Sequence, residues 1–154
     1  MNAGAARATG AMLLFLHADT QLQHGAAALV AQALPSKQYW GRFGVCIAGR
    51  PVMLRVVERM MNLRSRLTGI ATGDQAMFVS RAAFNLVGGF LDQPLMEDVE
   101  LSRRSRPVCI TCCVSTSGRR WETHVVWRTI LLMWRLRWQY WRGVPVSQLA
   151  QAYR

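Results

Sequence analysis

Lysine is almost missing from this chain: one of its nineteen basic residues is Lys, the rest are Arg, and acids number only eight. The bases form no Lys/Arg-rich run, which removes the clustered stripe or named module of a nucleic-acid binder, so no nucleic-acid partner is expected. Long polar tracts are absent too. Hydrophobic residues make up 51% and charged residues 18%, a globular balance that excludes a disordered or low-complexity chain. Cysteines spaced for a disulfide framework are also lacking. Of the four, Cys109, Cys112 and Cys113 crowd into one apolar run, so a reducing, cytoplasmic compartment is expected. The first residues show no charged stretch followed by a long apolar run and a cleavage site, so no secretory leader is expected.

What is present fits one domain: 154 residues build one real core but not two. The formal charge of +11 suits phosphate-bearing partners, whether lipid head groups or nucleotide sugars. Residues 11–16 form a continuous apolar run closed by His17-Ala18-Asp19-Thr20, which predicts a buried, parallel strand with those polar residues at its carboxyl end, where open α/β sheets collect ligands. A small-residue start compatible with helix precedes it. An alanine-rich helix is predicted from Leu22 to about Leu34, stopped by Pro35, and a strand over residues 39–47. Leu54, Val57, Met60, Met61 and Leu67 recur at helical spacing and predict an amphipathic helix over residues 53–67. Further along come a strand at 76–79, a short helix at 81–87 closed by Gly88-Gly89, a loop at 90–97, a helix at 98–104 and a β-rich run at 108–114.

Residues 123–142 predict an Arg/Trp-rich amphipathic helix. Trp127, Leu131, Trp134, Trp138 and Trp141 share one stripe, and Arg128, Arg135 and Arg142 an adjacent one. Charges in its middle disfavour a spanning helix. The stripe then either lies on a membrane surface or packs in the core, and both readings stay open.

Five of the eight acids fall in three places: Asp19 after a strand, Asp74 before one, and Glu97, Asp98 and Glu100 where a loop enters a helix. Such clustering in a basic chain invites a functional reading, because strand-end carboxylates hold hard cations such as Mg²⁺ or Mn²⁺ with a diphosphate completing the shell. Helix capping is the competing explanation. Cys109-Ile110-Thr111-Cys112 has a zinc-knuckle gap but no second pair, so buried thiols are expected instead.

The run Leu14-Phe15-Leu16-His17-Ala18-Asp19-Thr20 resembles the Asp-x-Asp position of family 2 glycosyltransferases, in the variant where His replaces the first Asp. Val87-Gly88-Gly89-Phe90 followed by Met96-Glu97-Asp98-Val99-Glu100-Leu101 resembles that family's Gly-Gly-Phe loop and Glu-Asp motif. Ser117-Gly118-Arg119-Arg120-Trp121 is similar to the Gln-x-x-Arg-Trp element of processive members, without its Gln. Residues 10–125 carry these motifs in order, and the whole chain looks closest to a bacterial subgroup with the His-Ala-Asp-Thr signature. The resemblance implies an α/β chain with a partial GT-A, Rossmann-like fold, a mixed sheet flanked by helices. The first β-α-β unit that holds the base and ribose has no match here, so an N-terminally truncated catalytic domain is expected over residues 1–154.

It further implies metal-assisted, inverting transfer of a sugar from a nucleotide-sugar donor to a hydroxyl acceptor, soluble or lipid-linked. Asp98 would be the base, with Glu97 beside it. Asp19 would hold the metal and the diphosphate, with His17 at the motif's first position, Asp74 shaping the pocket, and Arg119 and Arg120 on the diphosphate. His124 sits where some GT-A enzymes place a histidine ligand. The segment from Leu101 to Val108 is shorter than the family pattern, which leaves little helix behind Asp98. The alternative to an enzyme is a non-catalytic basic module bound peripherally to the inner face of the cytoplasmic membrane.

Overall fold

The strand at the centre of the molecule is the one buried along almost its whole length. Trp40, Phe43, Val45 and Ile47 are all buried, as residues between two helical layers must be. A computed structural model describes residues 1–33, 40–104, 106–118 and 126–153. In chain order the elements are α1 (Asn2–Arg7), β1 (Met12–Phe15), β2 (Thr20–Gln21), α2 (Ala26–Ala33), β3 (Trp40–Ala48) and α3 (Met53–Thr68). A 3₁₀ turn (Gly73–Gln75), β4 (Met77–Ser80), α4 (Arg81–Leu86), α5 (Glu97–Arg103), β5 (Val108–Ser117), α6 (Val126–Trp141) and α7 (Val146–Tyr153) follow. The fold is mixed α/β: a five-stranded mixed sheet in the order β1-β4-β3-β5-β2, with helices against it.

Only β3 and β5 run parallel, and every other neighbouring pair is antiparallel. The parallel, buried strand expected from residues 11–16 is therefore corrected. β1 is an antiparallel edge strand paired to β4, Met12 opposite Ser80 and Phe15 opposite Met77, and only Leu13 is fully buried. An edge strand has a neighbour on one side only, so a continuous apolar run does not require two.

Alternation along β1 and β4 divides the core. Leu13, Met77 and Val79 face α1, α4 and α5, where Phe15, Phe84 and Phe90 form a ring cluster with centroids 4.8–5.6 Å apart. Phe78 faces the other way, onto Phe43, Val114 and Val30 of α2. Phe78→Ala is expected to cost about 3–5 kcal/mol, the usual range for an aromatic lost from a core.

α3 is gripped to β3 by polar groups as well as by Leu54 and Val57. Asn62 accepts from Val45 N at 2.9 Å and donates to Val45 O at 3.0 Å, so its amide imitates a neighbouring strand. Arg42, buried on β3, donates to Asn62 O at 3.2 Å, and burial pulls its guanidinium below the usual pKa. Glu58 accepts from Ile47 N and pairs with Arg55 at 2.7 Å. Met60 and Leu67, predicted inward, are exposed because the sheet occupies only the Leu54–Val57–Met61 side.

Other boundaries moved for local reasons. The alanine-rich helix begins at Ala26, since Gly25 adopts a positive φ of 80° just before it. Pro35 lies outside the described residues. β5 continues to Ser117 because Ser115 and Thr116 pair with β2. The four thiols are half-buried rather than buried. Helix α7 was not foreseen; it buries Leu149 beside Leu136 of α6, and Pro145 just before it is the start signal in the sequence.

Candidate active site

β3 and β5 run on beyond β4, and the far end of β5 carries β2. The four residues linking β1 to β2 therefore pass over the amino end of β4 and the turn before it. His17 O accepts from Thr20 N at 3.0 Å, Asp19 O accepts from Ser117 N at 3.2 Å, and the Thr20 and Thr116 hydroxyls lie 3.2 Å apart. The backbone around Asp19 is thus tied to the end of β5, while the Asp19 and His17 residues are exposed.

Under this link lies the 3₁₀ turn. The imidazole of His17 is seated on Gly73, and a Cβ there would collide with its Nε2. Gln75 Oε1 accepts from Thr72 N at 3.4 Å and Thr72 O accepts from Gln75 N at 2.9 Å, which closes the turn. Gln75 is fully buried and donates to Ser65 Oγ at 3.1 Å and Asn62 Oδ1 at 3.4 Å, so the turn is anchored in the same polar group that holds α3 to β3.

Helix α5 clasps the segment before the turn. Ser102 Oγ accepts from Ala71 N at 3.1 Å, and Asp98 Oδ2 accepts from Gly73 N at 2.8 Å. Asp98 Oδ1 accepts from Val99 N at 2.7 Å. Burial pushes the Asp98 carboxyl above the usual carboxylate range, the two amides oppose that shift, and the charge of Asp74 adds to it. A carboxylate so disposed is a stronger base than a solvated one. Glu97, half-buried, precedes it at the positive end of α5, where acids are favoured. Glu100 instead accepts from the Tyr140 hydroxyl at 3.2 Å and joins α5 to α6.

The chain has no match among known family models, curated proteins or solved structures.

Three of the residues singled out in the sequence therefore come together: His17 on Gly73, Asp74 beside it, and Asp98 hydrogen-bonded beneath. Glu97 adjoins them. Asp19 lies on the same link, held by its backbone. Arg119, Arg120 and His124 lie outside the described residues. Among the described residues no three His, Cys, Asp or Glu side chains gather as a metal cage. Ser102, Asn62 and Gln75 were missed. Ser102 was open to inference, one turn after Asp98 on the same helical face, whereas Asn62 and Gln75 carry no signal outside the folded chain.

Proposed function

We propose that the chain carries the acceptor-activating part of a GT-A-type, family 2-like glycosyltransferase, transferring a sugar from a nucleotide donor to a hydroxyl with inversion. The observation that carries the reading is the meeting of His17, the Gly73–Asp74 turn and Asp98, from three distant stretches of sequence, above the sheet end. In this scheme the Asp98 carboxylate takes the acceptor's hydroxyl proton as its oxygen attacks the anomeric carbon, and the bond to the diphosphate breaks on the opposite face. Gly73 N and Val99 N hold the carboxylate in one orientation throughout.

The exposed Asp19 carboxylate, with His17 beside it on the link, fits a hard cation that takes its remaining ligands from diphosphate and water. Mg²⁺ or Mn²⁺ bound there would neutralise charge on the departing diphosphate. Asp74 would border the sugar. Transfer or hydrolysis from a panel of nucleotide sugars with Mn²⁺ tests the reading. Asp98→Asn should lower the rate by two orders of magnitude or more, roughly what a general base contributes; an unaltered rate removes Asp98 as the base.

A second reading, a basic membrane-surface module without catalysis, draws on α6, whose Trp127, Trp134, Trp138 and Trp141 are 58–79% exposed. Thermal stabilisation by Mn²⁺ that Asp19→Ala abolishes favours the enzyme, because the module has no use for that carboxylate.

A further inference from the structure

Helix α3 carries an outward apolar stripe of its own. Val52 at its cap and Val56, Met60, Leu63 and Leu67 along it recur at steps of three and four residues and are 45–81% exposed. They lie opposite Leu54, Glu58 and Ser65, which are buried. Of the fifteen large apolar side chains exposed among the described residues, these are five, and the stripe of α6 from Trp127 to Trp141 is another five.

The two helices are neighbours. Ile130, early in α6, packs against the cluster that holds Leu54 and Val57, early in α3. Trp138 and Trp141, late in α6, border the same cleft as Arg64 and Thr68, late in α3. The helices therefore lie side by side and run in the same direction. With about 3.6 residues per turn, Val57, Arg64 and Thr68 mark the side of α3 turned to α6, and Ile130 and Arg137 the side of α6 turned to α3. On each helix the apolar stripe lies about a quarter turn beyond that side, away from the buried residues, so both stripes face the same way. Farther round, the exposed Arg59 and Arg66 line the outer margin of α3, and the exposed Arg128, Arg135 and Arg142 that of α6.

Acids are missing from this face. Helix α6 has none, and the single acid of α3, Glu58, is buried and paired with Arg55 at 2.7 Å. A second copy of the chain would set arginine against arginine with no carboxylate to offset it. An anionic lipid surface supplies what both parts of the face require, phosphate at the head groups for the margins and hydrocarbon beneath them for the stripes.

We propose that α3 and α6 together form one membrane-docking face, two parallel helices lying in the head-group region of an anionic bilayer with arginine along both outer margins. The inference extends the membrane reading from α6 to α3 and rests on it, while sugar transfer plays no part in it.

The test floats the full chain at low salt with vesicles of phosphatidylcholine and phosphatidylglycerol in equal parts, and with phosphatidylcholine alone. Wild type should float with the anionic vesicles only. Leu63→Gln combined with Leu67→Gln should weaken partition by about tenfold or more, the effect of withholding two leucines from burial. Arg59→Gln combined with Arg66→Gln should weaken it by a similar factor of about ten, as two bases near an anionic surface do. Leu86→Gln, at an 82% exposed position on α4, should not. Val56→Gln combined with Met60→Gln probes the same stripe should the leucine pair fail to fold by circular dichroism. An α3 pair that floats like wild type, while Trp127→Ala combined with Trp134→Ala is released, overturns the inference and leaves α6 to dock alone. Wild type that stays in the soluble fraction overturns the membrane reading and the inference together. Equal flotation with phosphatidylcholine alone, or an equal loss in Leu86→Gln, overturns it in favour of unspecific apolar adsorption.

Discussion

The amide of Gly73 donates to Oδ2 of Asp98 across 2.8 Å, joining the turn before β4 to the first turn of α5. That bond favours the ionised carboxylate, yet burial outweighs it and the Asp98 pKa stands above its ordinary value of 3.8. The folded chain therefore binds more protons than the unfolded chain between the two pKa values. The associated stability is complete below the unfolded value and is lost as pH rises through the folded one. In urea unfolding, the stability of wild type minus that of Asp98→Asn should be larger at about pH 4 than at about pH 7. An equal difference at both would mean that the carboxyl titrates as in the unfolded chain.

Gly73→Ala should move His17 without unfolding the protein. The added Cβ meets Nε2, the far end of a side chain that is itself exposed and free to rotate outward. Gly73 is not among the glycines with positive φ, so alanine adopts its backbone conformation. Stability should change by less than about 1 kcal/mol, while the NMR ring signals of His17 shift. Unchanged signals would show that the imidazole does not rest on the glycine.

Asn62→Ala should cost about 2–4 kcal/mol, because it strips partners from a buried amide and carbonyl at once. Val45 N and O lose their 2.9 and 3.0 Å bonds, and Gln75 loses one of its acceptors. Denaturant unfolding measures the loss. A cost under about 1 kcal/mol would mean that water replaces the side chain at no penalty.

How legible this was depends on the range of the interaction. α3 and the β3 strand followed from periodicity, since their burial patterns are written in consecutive residues. The gathering of His17, Asp74 and Asp98 was legible only through motif order, because no local rule brings residue 17 to residue 73. Strand direction was not legible: an apolar run such as residues 12–15 reads the same parallel or antiparallel, and pairing with β4 is decided sixty residues later. Asn62 was hidden for a different reason. A polar residue on a helix ordinarily faces solvent, and this one is turned inward by two backbone groups of β3 that the sequence does not mark.

Cys46 should resist alkylation. Burial, aided by a hydrogen bond with Cys113, pushes its thiol up to about 11 from 9.0. The thiolate is the nucleophile, so only a trace is reactive at neutral pH. Iodoacetamide labelling followed by peptide mass spectrometry at about pH 8 should therefore leave Cys46 largely unmodified in the folded chain and modify it after denaturation. Rapid labelling of native Cys46 would show that its thiol pKa is not raised.

The Trp stripe of α6 does not pack in the core. Trp127, Leu131, Trp134, Trp138 and Trp141 are 58–79% exposed, while Leu136 on the opposite side is fully buried among Met96, Val99 and Leu149. Arg128, Arg135 and Arg142 are exposed along the same outer side, and Arg142 lies 4.7 Å over the Trp138 ring. No helix among the described residues is long and apolar enough to cross a membrane. Indole rings flanked by guanidinium groups suit the head-group region, where aromatic rings sit at the boundary and arginine meets lipid phosphate. The chain should therefore co-float with anionic vesicles at low salt and remain at the bottom with zwitterionic ones. Trp127→Ala combined with Trp134→Ala should release it, since both rings are exposed on that side. A wild-type chain that stays in the soluble fraction with anionic vesicles would assign the stripe to a protein partner instead.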